Sequence, residues 1–304
     1  MLVYKDGVIT KSENRRPNAD EVGFIYIASP TAEEIEQLVG KTFGCHPLVV
    51  EKCQTWDQRP GIDGYDKYMY MSFYVLKDTW DLYEMSLVVA ANYLIAIFPE
   101  KVPFVDEIKE NLMHFPNKMK SAGLLLYEIL NSCIHYYLDL IDEVEDQVDD
   151  MENQIYENPY VRLAPKIFNM KRKLHKVRRT FTEERDMLTT LMHEQLFGDE
   201  EVRYLADILQ HTNQVIEMVD TFRDSLTGLL ELQMSLKGDK MNEIMKTLTV
   251  VNTIFLPMMF IVGYYGTNLH LPEYGWAKND YWLWGWLLAS VIFMIFFFKR
   301  KKWM

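Results

Sequence analysis

The sequence contains few of the residues that build catalytic or metal-binding motifs. Its 304 residues include three cysteines, Cys45, Cys53 and Cys133. These have neither the spacing of a metal site nor the even number of a disulfide framework, which fits a reducing compartment. No phosphate-binding glycine loop or nucleophile constellation occurs, and His46, His211 and His270 are interpreted as isolated side chains. We therefore expect neither an enzyme nor a resident cofactor.

Positive charge is also in short supply. The formal net charge is −12, which argues against a nucleic-acid partner, because such partners require a basic surface. An acidic protein attracts cations, although a merely solvated acidic surface explains the same number. The opening residues, "MLVYKDGVIT", lack the apolar core of a signal peptide. We expect the region before the apolar segments described next to stay in the cytoplasm.

Two long uncharged runs stand near the end of the chain, at residues 247–265 and 281–298. A bilayer core of about 30 Å needs roughly 20 apolar residues of helix, so both runs are long enough to cross it. A buried helix of a soluble protein is the alternative, but the second run consists almost wholly of large apolar residues. The pair predicts a membrane hairpin in contact with lipid.

Basic residues flank the hairpin on one side only. Lys240 and Lys246 precede the first run, and the tail "KRKKWM" follows the second. The positive-inside rule then predicts a multi-pass protein of the inner or plasma membrane, with both termini in the cytoplasm.

The remaining pattern changes from mixed to helical. Short apolar runs such as "YMYMSFYVL" alternate with helix-like segments in the first hundred residues, and "AANYL" predicts a hairpin turn at Asn92. Helical periodicity then predicts two long antiparallel helices separated at "ENPY", and a long stalk helix after Gly198, with a kink at Gly238 left open. The predicted fold class is an α/β cytoplasmic domain, long antiparallel helices and a stalk, then a two-helix transmembrane hairpin.

This organisation predicts six segments. They are an α/β domain (1–102), a helical region with the stalk (103–246), a first span with the pore mouth (247–268), an outer loop (269–280), a second span (281–298) and a basic tail (299–304).

One face of the first span combines polar, small and apolar residues at helical spacing. It comprises Met245, Thr249, Asn252, Leu256, Met259, Gly263 and Gly266. A single span cannot enclose a pore, so conduction along this face requires several copies around an axis. A packing interface between helices explains the small residues equally well. The residues alone leave both interpretations open.

A family resemblance enters at "NEIMKTLTVVNTIFLPMMFIVGYYGTN", residues 242–268. This segment resembles the stalk end and first span of the CorA family of magnesium and cobalt transport proteins, whose signature there is Tyr-Gly-Met-Asn. "LPE", "KRKKWM", "FRDSLTGLLEL" and "HPLVVEKCQTWDQRP" resemble further segments of the family in the same order. The resemblance covers nearly the whole chain.

The resemblance implies a homopentameric divalent-cation channel whose first spans line the pore. It implies a selectivity mouth at Gly266, Thr267 and Asn268, and a loop residue, Glu273, that attracts cations. Gly266 would supply backbone freedom where the helix ends. The implied pore-lining and gating residues are Asn242, Met245, Leu248, Thr249, Asn252, Leu256, Met259 and Gly263. Magnesium is the expected ion, with cobalt or nickel also carried and a regulatory Mg²⁺ expected on the cytoplasmic side.

Several positions depart from the family pattern. Thr267 replaces the signature Met, and Asn252 and Met259 redistribute polarity along the pore. The resemblance also implies a regulatory Mg²⁺ site between subunits that uses Asp207 and an Asp of the "HPLVLED" segment. Here Lys52 stands at that second Asp, beside Glu51. An ammonium at this place repels Mg²⁺ and is expected to pair with Asp207, which predicts weakened magnesium feedback.

Two other functions fit parts of the pattern. A membrane-anchored structural or signalling protein explains the hairpin and the helices without transport. A zinc transporter with proton coupling explains the span and its polar face, and differs from a passive channel in its dependence on a pH gradient.

Overall fold

Seven strands form one mixed sheet in the part of the chain that is described. A computed structural model describes residues 1–77, 80–194, 196–267 and 279–303. The strands are β1 (Leu2–Lys5), β2 (Val8–Lys11), β3 (Val22–Ala28), β4 (Gly61–Tyr65), β5 (Tyr68–Leu76), β6 (Leu82–Ala90) and β7 (Tyr93–Phe98). Their order across the sheet is β2-β1-β3-β7-β6-β5-β4. Strands β3 and β7 are parallel, and the other neighbouring pairs are antiparallel.

The predicted hairpin at Asn92 is confirmed. Ala90 pairs with Tyr93, which leaves a two-residue connection between β6 and β7. The Asn92 side chain leaves the strands and donates to the carbonyl oxygen of Asn18 at 2.9 Å. Strand β7 is buried along its whole length, which is typical of a central strand covered on both faces.

Short helices cover the sheet. They are α1 (Ala32–Ile35), a π-helix (Glu36–Thr42), α2 (Pro47–Thr55), α3 (Pro103–His114) and a 3₁₀ turn (Pro116–Met119). Thr31 and Glu34 form a capping box at the start of α1. His46 caps α2 by accepting from the backbone N–H of Leu48 at 3.2 Å, and the apolar face of α2 joins the core of the sheet.

Long helices follow, as the periodicity predicts. They are α4 (Ala122–Glu157), α5 (Ala164–Leu191), α6 (Asp199–Tyr265) and α7 (Asn279–Arg300). The break at "ENPY" separates α4 from α5, and α6 continues without interruption through Gly238. Pro257 lies inside α6, where it has no N–H to offer the carbonyl oxygen of Thr253. The predicted fold class, an α/β domain followed by long helices, is confirmed.

Two compact units divide the chain. One consists of Met1–Asn153 and Arg162–Leu229, and it contains the sheet, most of α4, α5 and the first part of α6. The other consists of Gln154–Val161 and Leu230–Met304. Inside the second unit, Gln233 donates its side-chain amide to the carbonyl oxygen of Val161 at 2.7 Å. The six functional segments follow membrane topology rather than compactness, and their boundaries stay a prediction.

Candidate functional site

The second part of α6 has the properties of a membrane span. Within the described residues, α6 is the one helix that is both long and apolar enough to cross a membrane. Only 6% of its most apolar 18-residue window is buried inside the chain. A core helix of a soluble domain would be covered by its own protein, so this apolar surface needs another cover.

One face of this span is buried or half-buried within the chain. Val250 on α6 and Phe298 on α7 are buried, and Lys246 Nζ donates to the carbonyl oxygen of Lys302 at 3.2 Å. Half-buried residues continue both faces at helical spacing: Ile254, Pro257, Met258 and Ile261 on α6, and Leu287, Val291 and Met294 on α7. We infer that the two helices pack along these faces.

The residues that the sequence assigns to a pore lie on the other side of α6. At about 100° per residue, the centre of this set lies roughly half a turn from the face that packs on α7. Every member is exposed: Asn242, Met245, Leu248, Thr249, Asn252, Leu256, Met259 and Gly263, followed beyond the helix by Gly266 and Thr267. No described part of the chain therefore covers the polar stripe of the span.

The polar groups on α6 differ in how they are satisfied. Thr249 and Thr253 donate their hydroxyls to the carbonyl oxygens of Met245 and Thr249, at 2.8 and 2.7 Å. Asn252 has no hydrogen-bond partner among the described residues, and its side chain is exposed. A lipid-facing amide would leave its donors and acceptors unsatisfied at a cost of several kcal/mol per group. Asn252 therefore requires water or another copy of the chain.

Helix α6 ends just before the predicted mouth. Gly266 N–H donates to the carbonyl oxygen of Val262 at 2.9 Å, and the Thr267 hydroxyl donates to that of Tyr264 at 2.8 Å. Gly266 does not adopt the left-handed conformation, and its role in giving the backbone freedom at the helix end stays a prediction. A Cβ at Gly266 would lie 3.1 Å from the carbonyl oxygen of Val262, the acceptor of its own N–H one turn earlier.

Two predicted site residues cannot be placed. Asn268 and Glu273 lie outside the described residues. Their roles at the mouth and in the loop stay predictions.

The residues of the predicted regulatory site have partners within the chain. Lys52 on α2 forms an ion pair with Asp63 on β4, and its ammonium lies 5.4 Å from the centre of the Tyr70 ring. Glu51 is exposed. Asp207 on α6 accepts a hydrogen bond from the Tyr127 hydroxyl at 3.2 Å. Among the described residues, no contact joins Glu51 or Lys52 to Asp207.

Burial keeps the donor to Asp207 protonated. It raises the pKa of Tyr127 to about 12, and the neighbouring carboxylate of Asp207 adds to the effect. The tyrosine therefore remains a hydrogen-bond donor over the physiological range of pH.

His211 is packed against a second histidine and lies near a carboxylate. Its ring centre lies 5.8 Å from that of His135 on α4, and its Nδ1 lies 3.9 Å from Asp207 Oδ2. The spacing of Asp207 and His211, four residues apart on one helix, places both on the same face and was the available signal. His135 is distant in sequence, so only the packing of α4 on α6 reveals it.

Comparison with known proteins gives one consistent family. Residues 20–300 match the family model described as "CorA-like Mg2+ transporter protein". The chain is 32% identical to the cobalt/magnesium transport protein CorA of Thermotoga maritima over 288 residues, which are 89% of this chain and 80% of that protein. It is 23% identical to the zinc transport protein ZntB of Yersinia enterocolitica, over 67% of this chain and 63% of that protein.

A solved structure agrees in fold. The complete structure of the CorA magnesium transporter from Methanocaldococcus jannaschii matches with a TM-score of 0.84 at 22% identity, and covers 100% of this chain and 98% of that one. Such a likeness establishes the α/β domain, the long helices and the apolar helix as a shared architecture. The family model and the 32% identical relative establish the family of the chain. The chain belongs to the CorA-like Mg²⁺ transporter family.

Proposed function

We propose that this protein is a homopentameric channel that admits divalent cations, above all Mg²⁺, down their electrochemical gradient. Co²⁺ and Ni²⁺ are the further ions expected to pass. The proposal rests on family membership together with one observation, the uncovered polar face of α6. Five copies placed around an axis would turn that face toward a shared water-filled path and leave the α7 helices on the outside.

Asn252 carries the structural part of the proposal. Its amide lies about 9 Å beyond Lys246 along the helix, at roughly 1.5 Å per residue, in a run without charged residues. A pore supplies the water that this amide needs, and lipid does not. The Thr249 hydroxyl, already bonded to its own helix, adds a second polar ring without an unsatisfied donor.

The mouth would select ions by holding their hydration shell. Mg²⁺ releases water reluctantly, so a ring of neutral oxygens can bind the hydrated ion without stripping it. In our proposal Asn268 supplies the amide ring, and Gly266 and Thr267 shape the approach to it. Glu273 raises the local concentration of cations without coordinating them. Thr267 stands where the family signature has Met, so this ring is more polar than that signature.

Apolar rings along the same face would form the gate. Met245, Leu248 and Leu256 alternate with the polar positions Asn242, Thr249 and Asn252, and all six are exposed in the single chain. A narrow ring of apolar side chains stops ions by expelling water, and a small widening readmits it. Met259 and Gly263 continue the path to the mouth.

The proposed topology has two spans and cytoplasmic termini. Residues 281–298 form the second span, and the basic tail at 299–304 stays inside with Lys240 and Lys246. The short loop at 269–280 would lie outside, where the family's acidic loop residue meets incoming cations.

We also propose that magnesium feedback is weak in this protein. Lys52, which forms an ion pair with Asp63, occupies the place of a family carboxylate, so the site has one acidic ligand fewer for an arriving Mg²⁺. Asp207 and Glu51 remain as the acidic members of the site.

Zinc transport with proton coupling is the second candidate. The similarity to ZntB of Yersinia enterocolitica favours it, although at 23% identity. The rate of ion transport by a proton-coupled transporter increases when a pH gradient is applied at constant membrane potential, and the rate through a passive channel does not.

A membrane-anchored protein without transport gives no role to the polar face of α6.

Cysteine accessibility tests the proposed pore. Asn252→Cys and Val251→Cys lie at the same depth on α6 but about 100° apart, and Val251 is the matched control off the pore face. All three native cysteines are buried, so their background reaction with a charged thiol reagent is small. The reagent attacks only a hydrated thiolate, so it should block Mg²⁺ influx in Asn252→Cys and spare Val251→Cys.

Thr249→Cys provides a second pore-face variant if Asn252→Cys does not conduct. Equal block at Val251 and at both pore-face positions, or block at none of them, would contradict a pore along this face.

A further inference from the structure

Two histidines from different helices face each other in the first compact unit. His135 lies on α4 and His211 on α6, with ring centres 5.8 Å apart and ring planes inclined by 53°. His135 is exposed and has no hydrogen-bond partner among the described residues, and His211 keeps a quarter of its side chain exposed. The pair is therefore reachable from solvent.

The orientation of His211 is set by its neighbours. Its Nδ1 is buried and forms no hydrogen bond in the described part of the chain, and the nearest carboxylate oxygen is Asp207 Oδ2 at 3.9 Å. Tyr127 donates to that same oxygen. The Nδ1 atom thus lies on the side of Asp207, and we assign Nε2 as the nitrogen that would bind a ligand.

The arrangement in which Tyr127 donates to Asp207 and Asp207 lies beside His211 resembles the surroundings of a histidine that binds a metal. A coordinating imidazole usually donates its second N–H to a carboxylate, which fixes the ring and raises its basicity. Asp207 stands in that position and is itself held by Tyr127. A shift of about 1 Å would convert the 3.9 Å approach into a hydrogen bond of ordinary length, about 2.9 Å.

The separation of the rings also fits a shared ion. With metal–nitrogen distances of about 2.0–2.1 Å and a tetrahedral angle, the centres of two coordinating rings lie roughly 5 Å apart. The observed 5.8 Å is close to this value before any ion pulls the rings together. We propose that His135 and His211 form a binding site for a transition-metal dication, with Asp207 positioning His211.

The donor atoms decide which ion the site prefers. Imidazole suits Zn²⁺, Co²⁺ and Ni²⁺, whereas Mg²⁺ prefers oxygen ligands in octahedral geometry. Among the described residues, no three His, Cys, Asp or Glu side chains converge on one point, so water completes the coordination. A site with two protein ligands is reversible, which suits a sensor better than a permanent structural ion.

Occupation of the site would join α4 to α6. Both helices contribute to the same compact unit, and α6 continues beyond it as the proposed pore helix. The inference goes beyond the proposed function and rests on it only for this consequence, since metal binding itself requires no transport.

Cobalt titration of the purified full-length protein in detergent tests the site. Co²⁺ bound to imidazole gives visible absorption that hydrated Co²⁺ in a pore lined by amides does not. We expect one saturable Co²⁺ per chain that Zn²⁺ displaces and millimolar Mg²⁺ does not. His135→Ala and His211→Ala should each weaken binding by at least about tenfold, since either leaves one protein ligand.

His175→Ala is the matched control, because this exposed histidine lies on α5, outside the pair. Thermal unfolding without metal identifies any variant that has lost its fold, and Asp207→Asn, which keeps the acceptor for Tyr127, then serves as the second probe with an expected loss of several-fold. Unchanged Co²⁺ affinity in both histidine variants would overturn the proposal. Displacement of Co²⁺ by Mg²⁺ at concentrations as low as those at which Zn²⁺ displaces it would also overturn it. Failure of ion flux with the absorption intact would count against the channel alone.

Discussion

The backbone N–H of Tyr74 donates to Glu184 Oε1 at 2.9 Å, so that a carboxyl group from α5 completes the edge of β5. Strand β4 pairs with β5 only as far as Ser72, which leaves the Tyr74 peptide without a strand neighbour on that side. Tyr137 on α4 donates its hydroxyl to the carbonyl oxygen of the same Tyr74. Two long helices thus satisfy the backbone N–H and the carbonyl oxygen of one residue of the sheet.

Replacement of Glu184 should change the stability of the fold and the dependence of that stability on pH. Burial raises the pKa of Glu184 well above its usual value of 4.5, so the folded chain holds this proton to higher pH than the unfolded chain does. Its contribution to stability is complete below that value and is lost as pH rises toward the raised pKa. Between about pH 5 and about pH 9, the melting temperature of the wild type should therefore fall relative to that of Glu184→Gln, which cannot ionise.

Glu184→Ala is the companion variant. It leaves the Tyr74 N–H without a partner and should lower the free energy of unfolding by about 1–3 kcal/mol, with a further loss from the cavity. Parallel pH profiles for the wild type and Glu184→Gln would show that no buried proton is held here.

Charge reversal at Lys52 should strengthen magnesium feedback. Lys52→Asp places a carboxylate where the family has one, and it frees Asp63 from its ion pair. Mg²⁺ trapped inside liposomes should then inhibit influx at concentrations that leave the wild type active. Lys41→Asp, an exposed charge reversal elsewhere in the same unit, should have no such effect.

One result would contradict weak magnesium feedback. Strong inhibition of the wild type by internal Mg²⁺, abolished in Asp207→Ala, would show that Lys52 does not weaken the site.

The two glycines near the end of α6 should differ in their tolerance of a methyl group. A Cβ at Gly266, just past the end of α6, would lie 3.1 Å from the carbonyl oxygen of Val262, whereas a Cβ at Gly263 inside the helix would meet no described atom within 4 Å apart from the backbone of its own helical turns. Gly266→Ala should displace the end of the helix and reduce Mg²⁺ influx several-fold, and Gly263→Ala should retain most of it. Equal Mg²⁺ influx in the two variants would show that the geometry at the end of α6 does not affect ion passage.

The assembly should contain five copies. Five chains of 36.0 kDa give about 180 kDa, which native mass spectrometry in detergent resolves from neighbouring states. A dimer or a monomer that still transports ions would contradict the proposed pore.

Much of the fold could be predicted from local pattern. The turn at Asn92 and the break at "ENPY" are strong local signals, and the long helices follow the apolar period. The π-helix at Glu36–Thr42 could not be predicted, because its hydrogen-bond pattern depends on how the chain packs rather than on composition.

The candidate sites were predictable to different degrees. The polar face of α6 follows from helical spacing, and its role in a pore stays a prediction. The partner of Lys52 could not be predicted from the sequence, because Asp63 lies on a strand whose register depends on the tertiary fold. His135 and His211 are 76 positions apart in the sequence, and nothing local indicates that α4 and α6 bring their rings together.

Ion influx into liposomes tests the central claim most directly. Purified protein is reconstituted, an inside-negative potential is applied, and Mg²⁺ entry is followed with an internal dye for the wild type and for Asn268→Ala. We expect rapid Mg²⁺ entry that is driven by the potential and independent of a pH gradient, and we expect this entry to be lost in Asn268→Ala. Absence of Mg²⁺, Co²⁺ and Zn²⁺ entry in the wild type would contradict this expectation and favour a membrane-anchored protein without transport.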